Sequence, residues 1–194
     1  MRNVFLKSHV FRMLVTSAIE VYNRETNGVL IGRPSVRKID GDREPLMIIT
    51  DAYPLQTERR KPSEVFHGNE AAFKRAISSL KTLKVDIVGG YHSHTWPYGV
   101  KGPSEGDVEH IGTEMGYIHS KRWLELIISI KRREYSGLAP MGWNVQDLSK
   151  KVRAILRTEP DIGYDITLSA HWIDFSHKKP KVEEAAVFVP WLLD

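Results

Sequence analysis

The spacing of hydrophobic residues changes from helical to extended within the first fifty positions. Residues 10–24 carry apolar side chains at steps of three and four, which predicts an amphipathic helix. Residues 28–32 form a short apolar run bracketed by glycines and followed by Pro34, which favours a buried strand. A second strand is predicted over residues 46–53, after the turn signal at residues 40–42. The order helix, strand, strand indicates a mixture of α and β structure.

The middle of the chain predicts two further helices around a buried strand. Residues 63–84 have helical spacing, with acidic residues early and lysines late, as the helix dipole favours. The apolar run at residues 85–94 is too short for another helix and predicts a strand that ends in histidines. Proline and glycines make residues 95–102 a loop, and residues 103–107 carry a helix-start signature. Residues 123–130 return to a strand.

The last sixty residues have a weaker pattern. Residues 145–156 have helical spacing, and residues 164–175 alternate as a final strand. No repeat or long linker interrupts the chain, so we expect one domain over residues 1–194. The motif-bearing core spans residues 10–135, and residues 136–194 complete or extend it. The fold class is α/β of the α+β type, with a central mixed sheet flanked by helices.

The amino-acid composition limits which metal sites and catalytic groups the chain can form. The chain has 194 residues, enough for one sizeable core, and contains no cysteine. Disulfides, cysteine zinc sites, iron–sulfur clusters and thiol nucleophiles are therefore excluded, and any metal must be bound by His, Asp, Glu or solvent. No apolar run is long enough for a membrane span, and Lys7 and His9 interrupt the N-terminal segment. We expect a cytoplasmic protein with no membrane partner.

The net charge is weakly positive. The formal charge is +4, which is compatible with an acidic partner. The basic clusters are short and contain no interleaved aromatic residues, so binding to nucleic acid is not favoured.

Two histidines and a carboxylate form the candidate chemical site. His92 and His94 are two positions apart on a predicted strand, so their side chains point to the same face. Asp107 lies in the first turn of the helix after the loop and offers a third ligand. Two histidines and one carboxylate are a ligand set of catalytic zinc, with the fourth position left to water.

Each part of this pattern has an ordinary structural interpretation. Strand histidines are often only core or surface residues. The pair Ser104 and Asp107 also has the spacing of a helix capping box, and both interpretations can hold together. Glu25, taken alone, is a solvent-facing acid at the end of a helix.

In combination, Glu25, the His92-Ser93-His94 triplet and the Ser104-x-x-Asp107 segment strongly resemble the JAMM/MPN+ metalloprotease family. The resemblance covers roughly residues 10–133. The nine residues 95–103 make the spacing between the second histidine and the serine two residues longer than is usual in the family. We interpret this as a loop insertion, because lengthening a surface loop by two residues costs well under about 0.6 kcal/mol in closure entropy.

The resemblance implies a cytidine-deaminase-like sandwich and a zinc-dependent isopeptidase with one Zn²⁺ per chain. His92, His94 and Asp107 would bind the metal, Glu25 would act as general base, and Ser104 would donate to the oxyanion. The implied substrate is the peptide or isopeptide bond after the C-terminal tail of a ubiquitin-like modifier. The alternatives are a hydrolase of a sulfur-carrier protein or small amide, and a non-catalytic MPN interaction module.

Neighbouring residues suggest smaller roles. Trp96 and Tyr98 lie in the inserted loop and are expected either to flank the incoming tail or to pack over the core. The alternatives for His110 are a partner that supports a metal ligand, a surface residue or an alternative metal ligand, and the first two are favoured. The remaining histidines without patterned partners are interpreted as structural or exposed, and they are His67, His119, His171 and His177.

Overall fold

A computed structural model of the chain describes residues 3–39, 41–55, 59–60, 65–66, 70–97, 102–118, 120–136 and 140–189. Within these residues the helices are α1 (Ser8–Glu20), α2 (Glu70–Thr82) and α3 (Glu105–Ile118). The strands are β1 (Asn3–Leu6), β2 (Asn27–Ile39), β3 (Asp42–Pro54), β4 (Arg59–Arg60), β5 (Val65–Phe66), β6 (Ile87–Thr95), β7 (Arg122–Glu134), β8 (Gly142–Leu148), β9 (Lys151–Arg157), β10 (Ile162–Asp174) and β11 (Lys181–Phe188).

Nine of these strands form one mixed sheet. Their order is β11-β1-β3-β2-β6-β7-β10-β9-β8, and β10 also pairs with β11. This additional pairing closes the strands from β11 to β10 into a barrel-like ring, with β9 and β8 extending beyond it. The parallel pairs are β1 with β11, β1 with β3, and β6 with β7. The α+β class with a mixed sheet and helices is confirmed, whereas the cytidine-deaminase-like sandwich is not.

Helix α1 and the two later helices lie over opposite faces of the sheet. The apolar residues of α1 recur at helical steps and pack with the largest buried cluster, which includes Leu30, Tyr91 and Leu126. Helices α2 and α3 cover two smaller clusters on the other face of the sheet, which contain Val29 of β2 and Trp123 of β7. Full burial of a large apolar side chain contributes about 1.5–3 kcal/mol, so these contacts fix both helices relative to β6 and β7. No described helix is long and apolar enough to cross a membrane.

Several predicted elements are present with shifted ends. The first helix ends at Glu20, and the strands at residues 28–32 and 46–53 are parts of the longer β2 and β3. The predicted helix over residues 63–84 was wrong at its start. Val65–Phe66 pairs with Arg59–Arg60 as a small ladder, and α2 begins at Glu70.

The predicted helix over residues 145–156 was wrong. The segment forms the β8–β9 hairpin, in which the backbone N–H of Ser149 donates to Asp147 Oδ1 at 2.8 Å. Ser149 has a φ of 72°, which a helix does not allow. β10 pairs with β9 along its length and holds it extended. Val152 and Ala154 therefore point to the same face, where both are buried in the largest cluster.

The strand predicted over residues 164–175 is present as β10, but it is not the final strand. β11 follows, and its first four residues are exposed while Ala185 and Val187 are buried. Only the second half of β11 therefore carries an inward-facing apolar pattern.

Candidate metal centre

His92 and His94 project from the same face of β6 near its carboxyl end. Their Nε2 atoms lie 2.9 Å apart, and their rings meet edge to face at 88°. The parallel neighbour β7 places Ile127 beside His92 and Ser129 beside His94. The two-residue periodicity of the strand therefore brings both imidazoles to one point, as the sequence predicted.

Asp107 reaches the same point from the first turn of α3. Its Oδ2 lies 3.8 Å from His92 Nε2 and 3.6 Å from His94 Nε2. The backbone N–H of Ser104 donates to this same oxygen at 2.7 Å, and the N–H of Asp107 donates to Ser104 Oγ at 3.1 Å. This reciprocal pair is a capping box, so the helix start and the third candidate ligand are fixed by the same two residues.

Both histidines have carboxylates at the ring nitrogen that faces away from this point. His92 Nδ1 lies 2.6 Å from Oε1 of Glu125, and His94 Nδ1 contacts Oε1 of Glu25. An ionised carboxylate only accepts hydrogen bonds, so each Nδ1 must carry the proton and donate it. When neither Nε2 carries a proton, the two rings present their Nε2 lone pairs to the same place beside Asp107.

The segment that carries Glu25 is pinned to β6 between the two histidines. The N–H of Thr26 donates to Ser93 Oγ at 2.9 Å, and the N–H of Ser93 donates to the carbonyl oxygen of Thr26 at 2.8 Å. Ser93 lies on the face of β6 opposite the histidines and is fully buried. We call this reciprocal pair the Thr26–Ser93 link. It holds Glu25, itself 3% exposed, against His94.

The carboxylates dominate the electrostatics of the cluster. Burial opposes a charge on His94, but the carboxylates of Asp107 and Glu25 outweigh it and raise its pKa to about 9. Burial also opposes a charge on Asp107, yet His94 and His92 hold the pKa of this carboxyl well below its usual range. Burial raises the pKa of Glu125, and its bond to His92 only partly opposes this. The cluster therefore favours positive charge at the point where the histidines meet.

The donor atoms fit a small divalent cation. The ligand atoms of His92, His94 and Asp107 all lie within 4.8 Å of one another. A tetrahedral site with bonds of about 2.0–2.1 Å places its ligand atoms about 3.3 Å apart. The observed separations of 2.9, 3.6 and 3.8 Å bracket that value, so small side-chain adjustments suffice for coordination.

The sequence analysis missed the roles of two residues next to this cluster, Glu125 and Trp123. Glu125 is 3% exposed on β7, and its Oε2 accepts a hydrogen bond of 2.6 Å from Trp123 Nε1. The available signal was a carboxylate in the middle of the apolar run at residues 123–130. A buried acid needs a partner, and that requirement could have pointed to the histidines.

The residues near the motif that the sequence analysis singled out have surroundings that differ from one another. Trp96 is half exposed, and Lys131 Nζ lies 5.5 Å from its ring centroid. Tyr98 lies outside the described residues. His110 Nε2 is 3.4 Å from Glu114 of the same helix, and Glu114 raises the pKa of His110. Glu105 is exposed at the start of α3.

The remaining histidines separate into buried, exposed and undescribed positions. His171 is buried beneath Gly102, where an added Cβ would lie 3.0 Å from its Cε1, and burial lowers its pKa to about 4. It therefore packs under the loop that leads to Ser104. His177 is exposed, and His67 and His119 lie outside the described residues.

Residues 7–137 match the sequence family described as "Prokaryotic homologs of the JAB domain". The chain belongs to this family. The JAB domain match contains Glu25, His92, His94, Ser104 and Asp107, and it ends near the end of β7. The JAB family includes metallo-peptidases, and the His-His-Asp group provides the donors that a metal-dependent hydrolase needs.

A solved structure supports the fold beyond the matched JAB domain. The solution structure of protein DSY2949 from Desulfitobacterium hafniense is similar to this chain, with a TM-score of 0.52 and 16% sequence identity. The alignment covers 96% of this chain and 92% of that protein, so it includes the strands after β7. Among curated proteins, none matches the chain.

Proposed function

We propose that this protein is a zinc-dependent peptidase or isopeptidase that cleaves the bond after the C-terminal tail of a ubiquitin-like modifier. One observation carries the proposal: two Nε2 lone pairs and one Asp107 oxygen converge on a point, while each Nδ1 donates to a buried carboxylate. Two nitrogens and one oxygen with an open fourth position suit zinc, and the absence of cysteine leaves no competing ligand type.

The bound metal would supply a Lewis acid that polarises the scissile carbonyl and acidifies water to a pKa near 7. The protein side chains account for the remaining steps. Glu25 is a buried carboxylate beside His94 and is assigned to take a proton from the attacking water and return it to the leaving amine. General acid–base catalysis of this kind contributes about 10²–10⁴-fold.

Ser104 is assigned to stabilise the developing oxyanion. Its Oγ accepts from the N–H of Asp107, so that bond does not use its own hydroxyl hydrogen, which can donate to substrate. A preorganised donor of this type is worth about 2.7–4 kcal/mol in the transition state. Because the capping box fixes Ser104 and Asp107 together, the donor and the metal ligand keep a constant relative position.

Glu25 has a second assignment in this geometry. Its contact with His94 Nδ1, on the side of the ring that faces away from the metal point, orients the imidazole. The two roles have different consequences, because loss of a base slows hydrolysis while loss of an orienting partner weakens metal binding.

The substrate class is supported by family resemblance and by the surface beside the histidines. Trp96, two residues beyond His94, exposes an aromatic face next to the ammonium group of Lys131. An aromatic surface can contact an extended peptide tail, and the lysine favours an acidic modifier.

Metal analysis combined with cleavage assays tests the proposal. The protein purified with zinc available should contain about one zinc per chain, and His92→Ala or His94→Ala should remove it. The zinc form should release a ubiquitin-like protein from C-terminal fusions and isopeptide conjugates. Zinc without such cleavage would favour a sulfur-carrier or small-amide hydrolase or a non-catalytic module, and absence of stoichiometric metal would refute the site.

A further inference from the structure

We propose that Glu125 is a positioning residue that holds His92 in the tautomer able to bind metal, and that Trp123 sets the direction of the Glu125 carboxylate. This inference rests on the proposed function, because it assigns a role in the same metal site. It adds a carboxylate on β7 that faces His92 Nδ1, whereas Asp107 on α3 lies 3.8 Å from His92 Nε2.

The geometry around Glu125 uses both of its oxygens. Oε1 faces His92 Nδ1 at 2.6 Å, and Oε2 faces the indole N–H of Trp123 at 2.6 Å. Both partners are donors when His92 carries its proton on Nδ1, and a carboxylate accepts from both. His92 Nε2 then keeps its lone pair for a metal, which is the arrangement of carboxylate–histidine–metal triads.

The backbone of β6 leaves room for this arrangement. Gly90 is the register partner of Glu125 and lies two residues before His92 on the same face. A Cβ at Gly90 would lie 2.8 Å from Trp123 Cζ2 and 3.2 Å from Glu125 Oε2. Any larger side chain at this position would displace the indole or the carboxylate from its contact with the histidine.

The burial of its carboxylate indicates that Glu125 has a role other than packing. It lies in a strand segment whose residues from Trp123 to Ile130 are all buried. A buried carboxylate carries a desolvation penalty that a hydrophobic residue of similar size would avoid. The two short hydrogen bonds compensate for this penalty only when His92 donates from Nδ1.

Glu125→Gln separates positioning from packing because an amide offers only one acceptor. If its oxygen faces His92, its NH₂ group opposes the Trp123 N–H. If its oxygen faces Trp123, its NH₂ group donates to His92 Nδ1 and places the histidine proton on Nε2, where it blocks the metal. Adding Trp123→Phe removes the competing donor and lets the glutamine oxygen face His92.

The test measures Zn²⁺ affinity by competition with a chromophoric chelator, together with thermal unfolding of each metal-free protein. Glu125→Gln should weaken zinc binding by about 10–100-fold. The Glu125→Gln, Trp123→Phe double variant should bind zinc more tightly than Glu125→Gln alone. Glu134→Gln, the same change at an exposed position of β7, is the matched control and should retain wild-type affinity.

A spectroscopic measurement on the unsubstituted protein covers the case in which Glu125→Gln does not fold. Long-range ¹H–¹⁵N correlation of the metal-free chain, recorded above the titration of His92, should show the proton on Nδ1. A proton on Nε2, or unchanged zinc affinity in Glu125→Gln, would overturn the inference and leave the metal site standing. A double variant as weak as Glu125→Gln would also overturn it, and a wild-type chain that binds no zinc would overturn both proposals.

Discussion

Replacing Ser93 with alanine should destabilise the protein through the Thr26–Ser93 link. The substitution removes the oxygen that accepts the Thr26 N–H at 2.9 Å, and Thr26 is only 3% exposed. The reverse bond, from the backbone N–H of Ser93 to the Thr26 carbonyl, does not involve the side chain and remains. The change therefore leaves one buried backbone donor unpaired without removing the strand contact.

The expected cost follows from that unpaired donor. A buried group left without its partner costs about 1–3 kcal/mol. For chains of 150–250 residues, 1 kcal/mol corresponds to about 2–4 °C in Tm, so the melting temperature should fall by roughly 2–12 °C. Because Thr26 adjoins Glu25, hydrolysis should also slow, while the zinc ligands stay in place.

Thermal unfolding monitored by circular dichroism, in metal-free buffer, measures this effect. Ser79→Ala, at an exposed position of α2, serves as the control and should leave Tm nearly unchanged. An unaltered Tm in Ser93→Ala would show that the Thr26 N–H needs no protein acceptor. The Thr26–Ser93 link would then have no role in holding Glu25 against His94.

The other predictions concern charge at and away from the site. Asp107→Asn should strip zinc, whereas Glu105→Gln should leave zinc content unchanged, and elemental analysis that shows the reverse would shift the ligand to Glu105. Glu25→Gln should keep zinc while hydrolysis falls by about 10²–10⁴-fold, and loss of zinc instead would mean that Glu25 mainly orients His94. The guanidinium groups of Arg153 and Arg133 hold the pKa of Asp165 below its ordinary value, so their stabilisation is complete above about pH 4 and declines as the pH falls further. Asp165→Asn should therefore lower the free energy of unfolding at pH 7 by less than about 1 kcal/mol for each of the two ion pairs. It should also reduce the loss of stability between pH 7 and pH 3, and urea unfolding at the two pH values measures both effects.

The candidate ligands were predictable because local rules place them. Strand alternation aligns His92 with His94, and capping chemistry fixes Asp107 at the start of α3. Each rule acts within a few residues, so folding of the whole chain is not needed to apply it. The convergence of these segments depends on tertiary structure, and only the combined motif indicated it.

Other features depend on partners distant in sequence. Residues 145–156 fit helical spacing, but pairing of β9 with β10 selects the extended form. Glu125 was missed because its partner His92 lies on a different strand, and the short-range pattern around residue 125 does not indicate that contact. β11 has four exposed residues before its buried half, and its place in the sheet depends on β1 and β10.

The parallel pairing of β1 with β11 has a consequence for synthesis on the ribosome. Asn3 lies beside Ala186 and Phe5 beside Phe188, so β1 cannot complete its pairing until the much later strand β11 has been synthesised. Until residues 181–188 leave the exit tunnel, β1 and β10 each keep an unpaired edge that can associate with other nascent chains. We expect ring closure to require synthesis of the whole segment from β1 to β11, and its rate to be limited by the contact between two strands that lie far apart in sequence.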